Sequence, residues 1–573
     1  MIVSLFLLLT EFISGYFFLG GFHFSLKDQA LMVPSGLLLV AVVLSVQIAL
    51  VRWMTQEKDL SKAVRGVVYT HLPWLMGLAW PWVESMNLPD PHNFTNRKIQ
   101  ILLGLILMTH LFLLVRLHLS GSYKKGWKNS KIFGVIAALL FSGVTVWTAT
   151  VCDLSGDEPH YLLMAYSLIH DGDLDLSNNY ANHDYEKFYQ RGVLEPQGLE
   201  HVVEGKRYSH HPLGPVLLVL PGFALAGRLG AALTMALLAA LALFLTLKVL
   251  EETGAEGWAL HATGIIGLLS SPLLLFSGLI FPEIPTACLV AFSLLLFVKK
   301  RWFGLGLSMG LMLWMHNRNI LIFIPFLLFV GLEILKDKKD RTSQGVQLIL
   351  GLGIPLVLLV LYFYLLYGVL TPLGAHNEPF TSLFRLSHFW DGFLGLLMDQ
   401  ECGLLFHFPI FGLVITGGLL EWRSKNALGP LAVRVLLFFY LFMSFYENLG
   451  LTPATRYWVG VTPLLLLAVY PAIKRMNKED AWKKLAYLSL AFGVFINWIL
   501  AAIPWLRYNK LNGENWILKI IGNIVHIPLT AMNPAFQTPV VETKTYFMSA
   551  LTIGVTVLLN IWFLKEKTED RRK

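Results

Sequence analysis

The residues best equipped for chemistry stand together at Asp157-Glu158, an acidic pair flanked by Gly156, Pro159, His160 and Tyr161. Pro159 suits the first turn of a helix, and the residue before a proline is pushed toward extended geometry, so a helix is expected to begin close to Glu158. Asp157 then stands at the positive end of the helix dipole, which favours the ionised carboxylate that a general base requires. Leu162, Ala165, Tyr166 and Ile169 follow helical spacing and predict an amphipathic helix able to lie at a membrane interface. The bland alternative is that Asp157 and Glu158 do no more than cap that helix.

The elements that must position this pair are apolar. Of 573 residues, 55% are hydrophobic and 14% charged, far below the roughly 25% charged of soluble domains. Apolar runs of about 20 residues, each able to cross about 30 Å of hydrocarbon as a helix, recur along the whole chain. The expected fold class is therefore an all-α polytopic membrane protein. The net charge of +8 does not point to nucleic acid, because Lys and Arg cluster in short loops between apolar runs, as topology signals do. The first 24 residues lack a basic n-region and a small-residue cleavage site, so a retained span is expected there rather than a cleaved signal peptide.

Basic loops at 52–65, 124–131, 299–301, 336–341, 423–425, 474–484 and 565–573 are assigned to the cytoplasm by the positive-inside rule. About four spans precede residue 120, with a weak candidate at 68–88. Twelve more are expected at 132–151, 229–250, 258–280, 284–298, 302–316, 319–335, 346–367, 404–420, 431–449, 457–473, 484–505 and 545–564. The long loop 152–212, the turns near Pro282 and Asn317, the loop 368–403, the turn before Arg456 and the segment 506–544 then share the opposite face. Charged residues close to hydrocarbon are expensive, so their convergence on one face marks a candidate site.

Several tempting patterns fail. Asp171-Gly-Asp173-Leu-Asp175 opens like a calcium loop, but Leu176 stands where the loop needs glycine and Asn182 where it needs glutamate. A turn after the amphipathic helix is the expected reading. Cys152, Cys288 and Cys402 lack metal-ligand spacing, and a Cys152–Cys402 bridge, which needs an oxidising compartment, is not the expected state. No metal or other cofactor is expected. A divalent cation held by Asp157, His160 and Glu283 is the minor alternative.

Ser155-Gly-Asp-Glu-Pro-His-Tyr-Leu162 resembles the first external loop of the GT-C glycosyltransferases, membrane enzymes that include protein O-mannosyltransferases and the aminoarabinose transferase of lipid A. The resemblance continues in order through Tyr208-Ser-His-His-Pro-Leu-Gly-Pro215, Phe281-Pro-Glu-Ile-Pro285, Gly310-Leu-Met-Leu-Trp-Met-His-Asn-Arg-Asn319, Asp399-Gln-Glu-Cys-Gly-Leu404 and Thr455-Arg-Tyr457. It covers about residues 130–475. His160 departs from the arginine that related enzymes often carry three residues after the catalytic aspartate.

The resemblance implies a GT-C-like bundle with interfacial helices in the first large external loop. It implies transfer of a sugar from a polyprenyl-phosphate donor to an extracytoplasmic lipid, glycan or protein, with inversion, in a cell inner (plasma) membrane whose active site faces the periplasm or outside. Asp157 takes the catalytic position, paired with Glu158. Arg318, His211, His210, Arg207 and Arg456 are candidates to hold the lipid phosphate, since guanidinium matches phosphate bidentately. Glu283, His160 and Tyr161 are candidates to orient the acceptor or to support those groups. The implied domains are extra N-terminal helices at 1–120, a catalytic core at 121–475 and C-terminal helices with the external segment at 476–573. The partners expected are the lipid-linked donor, the acceptor and membrane lipids, with no nucleic acid. Each cation has a plainer reading: Arg456 snorkelling at a helix end, Arg318 paired structurally with Glu283, and His210 and His211 as interfacial histidines. The rival function is a transporter or flippase of lipid-linked sugars, for which inverted repeats and mid-membrane charges are the expected signs, neither of which the sequence displays. A non-catalytic scaffold is a third.

Overall fold

The computed structural model describes residues 129–196, 201–370, 385–446, 454–476, 481–507 and 513–569, apart from 204, 423, 425, 537, 539 and 540. The four spans expected before residue 120, and the candidate at 68–88, lie outside the described residues. The helices below belong to the compact unit formed by Lys128–Leu500 and Pro504–Lys573.

Among the described residues the protein is almost wholly helical, with one antiparallel hairpin that pairs His201–Val203 with Lys206–Tyr208. Seven helices among the described residues are long and apolar enough to cross a membrane, as a multi-pass membrane protein requires, and six shorter apolar helices of 10–17 residues accompany them. The central helix is Leu213–Glu252. Within it Ala231, Ala236, Ala239 and Ala242 are fully buried. Alanine favours helix and lets neighbours approach closely, and Asn129–Val151 and Glu283–Val298 pack on this helix.

Two expected spans are broken, for local reasons. The run at 258–280 stops at Leu269 and resumes as Pro272–Phe276, because Pro272 cannot continue the hydrogen-bond ladder. Asn497 repairs the break: its Nδ2 donates to the carbonyls of Leu269 and Ser271, each at 2.9 Å. The run at 404–420 is likewise divided into Leu404–His407, Pro409–Gly412 and Leu413–Trp422.

The central helix bends where Ala226 and Gly227 leave helical geometry, so residues 213–225 form a separate segment before the long span. The segments touch through glycines. A Cβ on Gly222 would lie 2.4 Å from the Gly230 carbonyl oxygen, a distance no side chain tolerates.

The Glu158–His170 helix begins where Pro159 placed it. Its packing differs from the amphipathic expectation. Residues from Glu158 to Ala165 are buried on every side, and exposure begins only at the far end, with Ile169 at 39%. The Leu213–Glu252 helix and the turn Asp184–Lys187 cover what a free interfacial helix would show to water.

Candidate active site at the Asp157 turn

Asp157 is the N-cap residue of the Glu158–His170 helix, yet its side chain makes no capping bond. Gly156 precedes it at φ +56°, a left-handed conformation that lets the chain turn sharply into the helix. The carboxylate is thereby directed at other segments. Arg456 Nη2 donates to Asp157 Oδ2 at 2.9 Å, and His211 Nε2 lies 3.9 Å from Asp157 Oδ1.

Arg456 is shared. Its Nε donates to Glu283 Oε1 at 2.8 Å, and the same oxygen accepts Arg318 Nη2 at 2.8 Å. The result is a chain of alternating charge, Asp157–Arg456–Glu283–Arg318, drawn from four segments up to 299 residues apart. An aromatic face supports each guanidinium, Phe281 at 4.4 Å from Arg456 and Tyr457 at 4.3 Å from Arg318. Such contacts favour a cation where water is scarce.

Exposure separates the two acids. The Asp157 side chain is 28% exposed, and that of Glu283 only 5%. Asp157 is thus the carboxylate that a molecule approaching the site can touch. Burial pushes its carboxyl up, but the adjoining His211 imidazole and the Arg456 guanidinium outweigh that effect and hold it far below the usual carboxylate range. It is ionised at every physiological pH.

His211 is packed edge-on to Tyr161 at 5.1 Å and stacked on His160 at 5.1 Å, and its Nδ1 lies 3.0 Å from the Ser209 hydroxyl. His160 is buried, with Nδ1 2.9 Å from the Tyr180 hydroxyl. Burial, reinforced by the neighbouring His211, brings its pKa down to about 3, so the ring is neutral. Tyr161 is 1% exposed and forms part of this aromatic wall.

Other expected site residues lie on the flank. The His210 ring lies 4.2 Å from that of His211, tilted by 36°. Arg207 is tied to the Asp175 turn, its backbone N–H donating to Asp175 Oδ1 at 2.9 Å and its guanidinium lying 6.0 Å over Tyr180. Glu158, expected beside Asp157 in the chemistry, turns inward instead. Its Oε1 accepts the Ile280 N–H at 3.0 Å and its Oε2 the Ser155 N–H at 3.1 Å. Burial pushes its carboxyl up despite those donors. It anchors the turn that presents Asp157.

The Asp171–Asp175 segment spends its carboxylates on turns. Asp173 Oδ1 accepts the Asp175 N–H at 3.1 Å, and Asp175 Oδ1 the Ser177 N–H at 3.1 Å. No group of three or more potential metal ligands occurs among the described residues, and the three cysteines are free thiols. Asp399 is also structural. Its Oδ1 accepts the N–H groups of Glu401 and Cys402, and its Oδ2 accepts the Phe536 N–H at 2.7 Å, which staples the 399–403 turn to the later segment.

Sequence reasoning missed the aromatic supports Phe281 and Tyr457. Each lies within two residues of one it did select, but which ring lies under which cation is set in three dimensions. It also missed Arg228, for which a signal existed: a lone charge in the apolar run 213–247. No protein-family model, curated protein or solved structure matches the chain.

Proposed function

We propose that the protein is an integral-membrane glycosyltransferase of GT-C type, which moves a sugar from a polyprenyl-phosphate donor to an acceptor on the non-cytoplasmic face of a cell inner (plasma) membrane. The observation that carries this reading is the half-exposed, ionised Asp157 held at the open end of an ion-pair chain whose cations are Arg456 and Arg318.

The chemistry asks for both charges. The acceptor hydroxyl oxygen bonds to the anomeric carbon, the bond from that carbon to the phosphate oxygen breaks, and its electron pair leaves with the lipid phosphate. The departing phosphate is stabilised by guanidinium, with Arg318 and Arg456 as the donors that match it. As the phosphate engages Arg456, Asp157 is released to accept the acceptor's proton. A carboxylate of low basicity suffices, because an oxocarbenium-like transition state makes that proton acidic only as the new bond forms. Direct inverting displacement is the expected course, since a retaining double displacement needs a second, nucleophilic carboxylate close to the sugar and Glu283 is only 5% exposed.

The test is transfer by purified protein from a radiolabelled polyprenyl-phosphate sugar. Bond formation that falls about 100-fold or more in Asp157→Asn, the usual scale for removing a general base, supports the reading. Movement of the lipid-linked sugar across the bilayer without bond formation overturns it in favour of a flippase.

A further inference from the structure

A second polar site lies apart from the ion-pair chain. A cavity of about 560 Å³ opens between the far end of the Glu158–His170 helix, the Asp184–Lys187 turn and the bend of the central helix, with Tyr166, His170, Lys187, Phe223 and Arg228 in its wall. Arg228 sits at that bend as the one charge in the apolar run 213–247, a placement too costly to persist without a role. Its Nη2 donates to the Cys152 carbonyl, and a guanidinium carries five N–H donors. Lys187 Nζ donates to Asp184 Oδ1 at 2.9 Å and rides 4.2 Å over the Tyr166 ring. The carboxylate lining the cavity, Asp153, leans on Arg191 at 3.8 Å. Two cations therefore line the space with one carboxylate, Asp153, which has Arg191 beside it, while Lys187 keeps Asp184 and the Tyr166 hydroxyl as partners.

The rim is apolar on one side. Phe188 and Phe223 meet edge to face at 5.8 Å, and Leu225, beside Ala224 of the wall, is 88% exposed at the end of the short apolar segment 213–225. A charged interior with an apolar lip suits an amphiphile whose head is anionic and whose chains remain in the bilayer.

We propose that this cavity binds a phosphate-bearing headgroup, with Arg228 and Lys187 on the phosphate and Phe223 and Leu225 against the first acyl carbons. The site is independent of the transfer reaction and of Arg318 and Arg456. Full-length protein in a neutral detergent, titrated with dihexanoyl phosphatidic acid, dihexanoyl phosphatidylcholine and glycerol 3-phosphate, tests it by calorimetry. Phosphatidic acid binds about tenfold or more tightly than phosphatidylcholine, and Arg228→Gln and Lys187→Gln each weaken it about tenfold, the scale of one charge-assisted hydrogen bond. Lys187 is half-exposed, so its variant decides the matter if Arg228→Gln fails to fold. Weaker binding of glycerol 3-phosphate assigns the site to a lipid, and equal binding assigns it to a soluble phosphate. Equal affinity for the two lipids, unchanged affinity in the folded variants, or loss of phosphatidic acid binding in Arg318→Gln overturns the proposal.

Discussion

Neutralising the two acids of the ion-pair chain should have unequal consequences for stability. Glu283 Oε1 accepts from Arg318 and Arg456 at 2.8 Å each, and its side chain is 5% exposed. In Glu283→Gln two largely buried guanidiniums lose their common partner. Removing one member of a buried ion pair costs about 3–5 kcal/mol, because the remaining charge is stranded. In Asp157→Asn the loss is smaller. The side chain is 28% exposed, it makes one bond of 2.9 Å to Arg456, and Arg456 keeps Glu283. An exposed or half-exposed charge-assisted bond is worth about 1–2 kcal/mol. Unfolding of the purified variants in mixed micelles, followed by tryptophan fluorescence, should therefore place Glu283→Gln about 1–4 kcal/mol below Asp157→Asn. Equal destabilisation would refute the reasoning, because it would mean that Asp157 is as deeply committed to the structure as Glu283. An active but unstable Asp157→Asn would refute the functional half as well.

Titration offers a check on the same chain. The Asp157 carboxyl lies below its unfolded value, so its stabilising contribution is complete above about pH 4 and fades as pH falls further, and the acid limb of wild-type stability should be flatter in Asp157→Asn. Asp399→Ala strands the N–H groups of Glu401, Cys402 and Phe536, each worth about 1–3 kcal/mol when buried. Limited proteolysis should then cut between 513 and 540 at protease levels that spare the wild type. Gly230→Leu drives a side chain into the Gly222 carbonyl, 1.9 Å from the new Cβ, and should open the bend of the central helix. A cysteine pair spanning that bend, crosslinked readily in the parent, should lose its reaction. Arg318→Lys keeps the charge but not the planar fork, so on the proposed mechanism it raises the KM for the donor about tenfold while the protein stays folded.

Much of the architecture is legible in order along the chain. Apolar runs of membrane-crossing length mark the spans because burying backbone in hydrocarbon leaves helix as the available choice, and that constraint is local. Pro159 announced the start of the helix after Asp157 for an equally local reason, since a proline lacks the N–H that a helix interior requires. The breaks at Pro272 and Pro409 were not foreseen, although Gly257–Phe276 as a whole still has the length and apolarity of a membrane span. Whether a proline kinks or ends a helix depends on a partner such as Asn497 that satisfies the freed carbonyls from more than 200 residues away.

The candidate site divides along the same line. The sequence by itself determined which residue types were costly enough to need a purpose: Asp157, Glu283, Arg318 and Arg456, charges set beside apolar helices. Only the tertiary structure decided what each one does. It separated Asp157 from Glu158, adjacent in sequence, by turning one toward Arg456 and the other onto the Ile280 and Ser155 backbone. Electrostatic partnership falls steeply with distance in space and is indifferent to distance along the chain, so a contact across 299 residues is invisible until the helices are packed.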